Sequence, residues 1–167
     1  MVDKSQSIAA IIFSKDRKKV LLIKRRDVPV WVLPGGGIER NETKEEAIIR
    51  EVNEETGFDV TISRLIGEYT PINKLAKYTY IYECAICEGT PTTGDETKAI
   101  RFFPVDQLPK LIPPPYPDWI KDAHQNNTTV YKKISSVTYP TLIKNLLLHP
   151  SLVIRFLLSR MGFHINT

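Results

Sequence analysis

The chain has 167 residues, enough for one domain with a substantial core and an appendage. Apolar residues make up 42% and charged residues 25%, the balance of an ordinary globular protein rather than a fibrous, disordered or membrane-spanning one. Residues 1–115 hold 17 Lys and Arg against 17 Asp and Glu, so the formal +4 comes wholly from residues 116–167, which also hold His124, His149 and His164. A Ser–His or Cys–His pair in the body of the chain is thereby excluded, and chemistry there falls to carboxylates or a metal.

In chain order, the N-terminal MVDKSQSIAAIIFSKDRKK has an apolar run of only six residues and an acidic Asp3. It reads as neither a signal peptide nor a membrane span, and a cytoplasmic location is the expectation. The apolar runs 7–14 (SIAAIIFS) and 20–25 (VLLIKR), joined by KDRKK, predict a hairpin of buried strands. In WVLPGGGIERNE, Pro34 and three glycines predict an irregular loop that allows close backbone approach to a ligand. A helix is expected from Thr43, which makes a capping box with Glu46, to Gly57. Its residues Ile48, Ile49, Val52 and Thr56 are expected on one buried face, with an acidic edge beside it.

Strands are predicted at 60–67, 77–88 and 100–105, and a short helix at DWIKDAH. This order gives a mixed sheet sandwiched between helices. Cys84 and Cys87 are spaced as C-x-x-C, but three residues apart in a strand they point to opposite faces, which excludes a shared metal or a mutual disulfide. From about Asn127 the character changes. YPTLIKNLLLHP and SLVIRFLLSRMG predict two short apolar helices separated by Pro150. Residues 1–126 thus read as the domain and 127–167 as a basic, apolar helical extension packed on the core or on a dimer partner. Attachment to a membrane surface and binding of nucleic acid are the weaker alternatives.

The stretch REVNEETGF, 50–58, is electrostatically odd. Glu54 and Glu55 lie in the last helical turn, at the negative end of the dipole, where each carboxylate costs about 0.3–1 kcal/mol. Glu51 lies one turn back and repels both. Three clustered oxygen anions suit a hard divalent cation, and a facing glycine loop can offer backbone groups to phosphate.

The segment GGIERNETKEEAIIREVNEETGF, Gly36 to Phe58, resembles the Nudix box G-x5-E-x7-R-E-U-x-E-E-x-G-U, in which U is apolar. Gly36, Glu42, Arg50, Glu51, Val52, Glu54, Glu55, Gly57 and Phe58 fill every defined position. The resemblance runs over about residues 7–126 and implies a Nudix-type α/β/α sandwich with a mixed β-sheet, to which this chain adds a C-terminal helical extension. It implies hydrolysis of a nucleoside diphosphate linked to another group, by water attack at phosphorus, with Mg²⁺ or Mn²⁺ as cofactor. By the same resemblance Glu54 and Glu55 ligate the metal, Glu51 is a ligand or the base, and the Gly35 carbonyl joins the metal shell. Arg50 orients the carboxylates, and Glu42 is structural.

Glu96 stands where relatives carry a later catalytic glutamate, or is one more loop charge. Arg25, with Arg26 as competitor, can hold a phosphate. Trp31 either stacks on a base or packs beside the Gly/Pro loop, and Gly36 gives the substrate close access. The expected partner is a small nucleotide, with a homodimer as a further possibility. No subfamily marker names the substrate. Two other readings stand beside the hydrolase: a non-catalytic nucleotide-sensing module on the same fold, and an enzyme of RNA ends whose basic tail grips the backbone.

Overall fold

The computed structural model describes residues 3–161; Met1, Val2 and 162–167, with His164, lie outside it. The run Ile8–Ile12 explains the architecture. Its even members, Ile8, Ala10 and Ile12, enter one apolar cluster, whereas Ala9 and Ile11 enter a second on the opposite face. A strand buried on both faces has no polar alternation, and it needs a covering layer on each side. Strand β1 (Asp3–Ile11) accordingly lies inside a five-stranded mixed sheet. Its neighbours are β4 (Gly35–Ile38), antiparallel, and β6 (Tyr78–Gly89), parallel. Beyond β6 come β5 (Phe58–Pro71), antiparallel to it, and β8 (Val130–Ile134), parallel to β5. A second sheet has β2 (Lys19–Arg25) between β3 (Trp31–Val32) and β7 (Thr97–Pro104), all antiparallel. Helix α1 (Lys44–Thr56) covers the first cluster and α2 (Tyr116–Gln125) the second, which completes the α/β/α sandwich.

Helix α1 starts and stops where its sequence says. Thr43 and Glu46 exchange both bonds of the capping box, and Gly57 closes the helix at φ 72°, donating to the Asn53 carbonyl at 2.8 Å. The cap contributes about 1 kcal/mol, no more than the two C-terminal carboxylates cost. What holds the helix is burial of Ile48 and Val52, roughly 1.5–3 kcal/mol each. Ala47 and Thr56 are buried beside them, and the Thr56 hydroxyl returns to the Val52 carbonyl at 2.5 Å. Ile49 corrects the expected face: it is 41% exposed, because one residue past Ile48 is a 100° turn away from the sheet.

Two other expectations change. The predicted hairpin closes through a Phe13–Val20 bridge, but its strands then part into different sheets. The glycine run is not irregular either, since Gly35 and Gly36 pair with Ala9 and Ile8. Glycine is required for that pairing: Gly35 has φ 151°, and a Cβ there would lie 2.2 Å from the Ile8 carbonyl oxygen. Cys84 is buried and Cys87 exposed, both as free thiols, as strand alternation demands.

The segment after α2 is not helical from its start. Strand β8 joins the main sheet, burying Ile134, and Lys132 on it pairs with Asp122 of α2 at 2.5 Å. Tyr69 donates to the same carboxylate at 2.9 Å, so α2, β5 and β8 meet at one buried polar point. Then follow the two expected short helices, α3 (Tyr139–Leu148) and α4 (Pro150–Arg160). Among the described residues no helix is long and apolar enough to cross a membrane.

Candidate active site

Strand β4 and the second half of α1 face each other and bring the glycines against the carboxylates. The Gly35 N–H donates to Glu55 Oε2 at 2.8 Å. Glu51 lies directly over Gly36, where a Cβ would sit 2.3 Å from Glu51 Oε1, so the residue before Gly37 has to be glycine for Glu51 to keep this position. Arg50 organises the rest. Its Nε and Nη2 grip Glu42 at 2.8 and 3.0 Å, and Nη2 also reaches the Gly37 carbonyl at 3.2 Å. Its Nη1 lies 3.1 Å from Glu51 and 3.2 Å from Glu54. Glu42 is therefore the anchor of Arg50, a role more specific than that of a structural residue at a helix start. The bidentate fork fixes the guanidinium plane, and Nη1 then fixes two carboxylates.

Electrostatics sorts the carboxylates. Burial pushes the Glu55 carboxyl up to about 8; the Gly35 N–H opposes this, while Glu51 and Glu96 add to it as like charges. Burial also raises Glu51, against the pull of Arg50, with Glu54 and Glu96 again adding to the rise. Glu42 is held below its ordinary value, first by the Arg50 hydrogen bonds. Glu54 is the exposed member, its side chain 59% accessible.

Glu96 is exposed, in the turn before β7, yet its charge acts on both Glu51 and Glu55. That turn is pinned to the end of α1: Thr92 N–H donates to the Thr56 carbonyl at 2.8 Å, and a Cβ on Gly94 would be 2.3 Å from the Glu54 carbonyl oxygen. Arg25 also acts on Glu55, with the opposite sign. Its Nε and Nη2 donate to Asp27 at 2.8 and 2.5 Å, which raises its already high pKa. Arg26 is half-buried, its backbone N–H bonded to the Glu96 carbonyl at 2.9 Å, and its guanidinium makes no ion pair among the described residues. Trp31 packs edge-on against Phe103, ring centres 4.7 Å apart, at the rim of the second cluster.

Sequence reasoning missed Asp27, the partner of Arg25. The signal was available, since residues two apart at a strand end share a side. Among the described residues no three His, Cys, Asp or Glu converge as a ready-made metal cage. Arg50 Nη1 occupies the space between Glu51 and Glu54 instead. The donor set nevertheless fits a hard divalent ion: all oxygen, with Glu51 and Glu55 raised first by burial and further by neighbouring carboxylates.

The family model for the NUDIX domain matches residues 4–123. The chain belongs to the Nudix family. It is accordingly a hydrolase of nucleotide-linked phosphoanhydride bonds, in a family that works with divalent metal ions. A protein of Bacillus subtilis (strain 168), provisionally named an 8-oxo-dGTP diphosphatase, is 34% identical over 127 residues, 73% of this chain and 85% of the relative. An ADP-ribose pyrophosphatase of Methanocaldococcus jannaschii is 38% identical over 108 residues, 60% of this chain and 62% of the relative, which is less than two thirds of that protein. The crystal structure of an ADP-ribose pyrophosphatase from Streptococcus suis 89-1591 superposes with a TM-score of 0.64 at 26% identity, covering 77% of this chain and 97% of that one.

Proposed function

We propose that this Nudix protein is a metal-dependent pyrophosphohydrolase of a nucleoside diphosphate linked to a second group, with Mg²⁺ or Mn²⁺ held by Glu54 and Glu55 and Glu51 serving as a further ligand or as the base. The observation that carries the reading is the arrangement of Glu55 on the Gly35 N–H and Glu51 over Gly36, two carboxyls that burial raises further than Arg50 and the Gly35 N–H lower them. A chain that only needed to fold would gain by replacing either carboxylate, because desolvated like charges cost stability. When bound, the divalent ion supplies charge neutralisation at the phosphoryl oxygens and a more acidic water.

The remaining steps belong to the chain's own groups. Arg50, held by Glu42, keeps Glu51 and Glu54 apart and oriented until the site is loaded. Arg25 and Arg26 bind phosphate oxygens, Arg25 through the guanidinium edge that Asp27 leaves free. Gly36 leaves the floor of the site open to the diphosphate. Glu51 or Glu96 takes the proton from the attacking water, Glu51 from within the carboxylate cluster and Glu96 from the opposing turn. The names of the relatives favour ADP-ribose first and an oxidised nucleoside triphosphate second.

The test is product release from a panel containing ADP-ribose, nucleoside triphosphates and their oxidised forms, nucleotide sugars, dinucleoside polyphosphates and capped RNA. Each is run with Mg²⁺, with Mn²⁺ and with chelator. Cleavage of one class that stops with chelator supports the reading. Folded, metal-binding protein inactive across the panel would move the choice to a nucleotide-sensing module.

A further inference from the structure

Helix α4 reaches this site from outside the matched family region. Ser159 Oγ donates to Asp27 Oδ2 at 2.6 Å, and Arg155 Nε donates to the Asp27 carbonyl at 2.9 Å. Asp27 is 7% exposed, and its carboxylate is saturated. Oδ1 accepts from Arg25 Nε at 2.8 Å and from the Val28 N–H at 2.7 Å, and Oδ2 accepts from Arg25 Nη2 at 2.5 Å beside the Ser159 hydroxyl. Two donors other than Arg25 thus fix the plane of the carboxylate. Because a guanidinium fork is planar, a fixed carboxylate plane fixes Arg25 as well.

We infer that α4 is part of the active site: Ser159 and Asp27 are positioning residues that hold Arg25 with one guanidinium edge committed to Asp27 and the other presented to a substrate phosphate. The inference rests on the pyrophosphohydrolase reading above and adds a dependence on the C-terminal extension that the matched region does not contain. A bare tether for α4 would need neither the buried aspartate nor the bidentate grip, since Arg155 already bonds the backbone and Val153 is buried. Arg25 pairs with Thr97, next to Glu96, and the Arg26 N–H bonds to the Glu96 carbonyl at 2.9 Å; the Arg25 charge also lowers the Glu55 carboxyl. A guanidinium there that is free to swing would collapse onto the nearest glutamate and be lost to the substrate.

The experiment compares full-length wild type with Ser159→Ala, Asp27→Asn, the double variant and Ser159→Thr, on whichever nucleotide the panel shows to be cleaved. Ser159→Ala is expected to raise KM about fivefold with kcat within about twofold, and Asp27→Asn to raise KM further. The double variant should be no worse than Asp27→Asn alone, because both act through one carboxylate. Ser159→Thr keeps the hydroxyl and should restore KM. A second readout needs no turnover: solvent exchange of the Arg25 Nε–H, followed by nitrogen-edited NMR, should quicken in Ser159→Ala. Unchanged KM in folded Ser159→Ala and Asp27→Asn, or KM effects that multiply in the double variant, would overturn the inference. If the wild type cleaves nothing, the affinity for ADP by calorimetry replaces KM. Faster Nε–H exchange with weaker ADP binding in Ser159→Ala would then uphold the latch while the hydrolase reading falls, and unchanged exchange would sink the latch itself.

Discussion

Replacing Glu55 by Gln tests the electrostatic argument at its sharpest point. The amide oxygen can still accept the Gly35 N–H bond of 2.8 Å, so shape and hydrogen bonding survive and only the charge is lost. The carboxyl is raised from an ordinary 4.5 to about 8, with burial first among the causes. At about 1.4 kcal/mol per pKa unit this shift has a ceiling near 5 kcal/mol, and solvent relaxation around a half-buried group reduces it to roughly 2–3 kcal/mol. The sign follows from linkage. A carboxyl whose folded pKa lies above its unfolded pKa binds more protons in the native state, so stability is fully present below about 4.5 and is lost as pH rises toward about 8. In chelator, wild type and Glu55→Gln should therefore match near pH 4.5, and the variant should be the more stable by roughly 2–3 kcal/mol at pH 8. With a urea m-value of about 2 kcal/mol per M, the midpoints should separate by roughly 1 M. Millimolar Mg²⁺ should reverse the order, because only the wild type keeps the full donor set. Parallel stability curves for the two proteins from pH 4.5 to 8 would refute the claim that burial disfavours the charged form of this carboxyl.

Gly36→Ala should lower kcat/KM by about 100-fold or more, since the new Cβ would lie 2.3 Å from Glu51 Oε1 and must displace it; steady-state kinetics reads this directly. Arg50→Lys keeps the charge but not the fork to Glu42 at 2.8 and 3.0 Å, and kcat should fall about 10- to 100-fold with little change in KM. Near-wild-type kcat would mean that Arg50 does not orient the carboxylates. Asp122→Asn weakens the links to Tyr69 and Lys132 and should cost about 1–3 kcal/mol. Amide hydrogen exchange should then rise in β8 and α2 while α1 stays protected, which would locate the loss in the extension's attachment.

Much of the fold lay within reach of local rules. The ends of α1 are local chemistry: a capping box needs residues three apart, and Gly57 needs only its own freedom at positive φ. The run Ile8–Ile12 announced a strand buried on both faces, and the spacing of Cys84 and Cys87 excluded their pairing. Strand β8 was not legible, because five residues with two adjacent exposed lysines carry no alternation strong enough to mark a strand. Its place comes from an existing edge on β5 and an existing carboxylate on Asp122. The misplacement of Ile49 has a related cause: a helix's apolar residues are visible in sequence, but the angle at which a sheet meets them is not.

The inventory of the candidate site is readable from local spacing alone. Glycines, Arg50 and three glutamates lie within one loop and one helix, and helical periodicity alone puts the carboxylates on a common edge. How those groups meet depends on contacts between distant segments. Only the pairing of β4 with β1 sets Gly35 under Glu55 and Gly36 under Glu51, and only the turn before β7 brings the charge of Glu96 to bear on both. Ser159 meets Asp27 across 132 positions of chain, a contact no local pattern can encode. Spacing along a helix is fixed by backbone geometry, whereas the meeting of distant segments is fixed by which apolar faces bury one another, and that is a property of the whole packed chain.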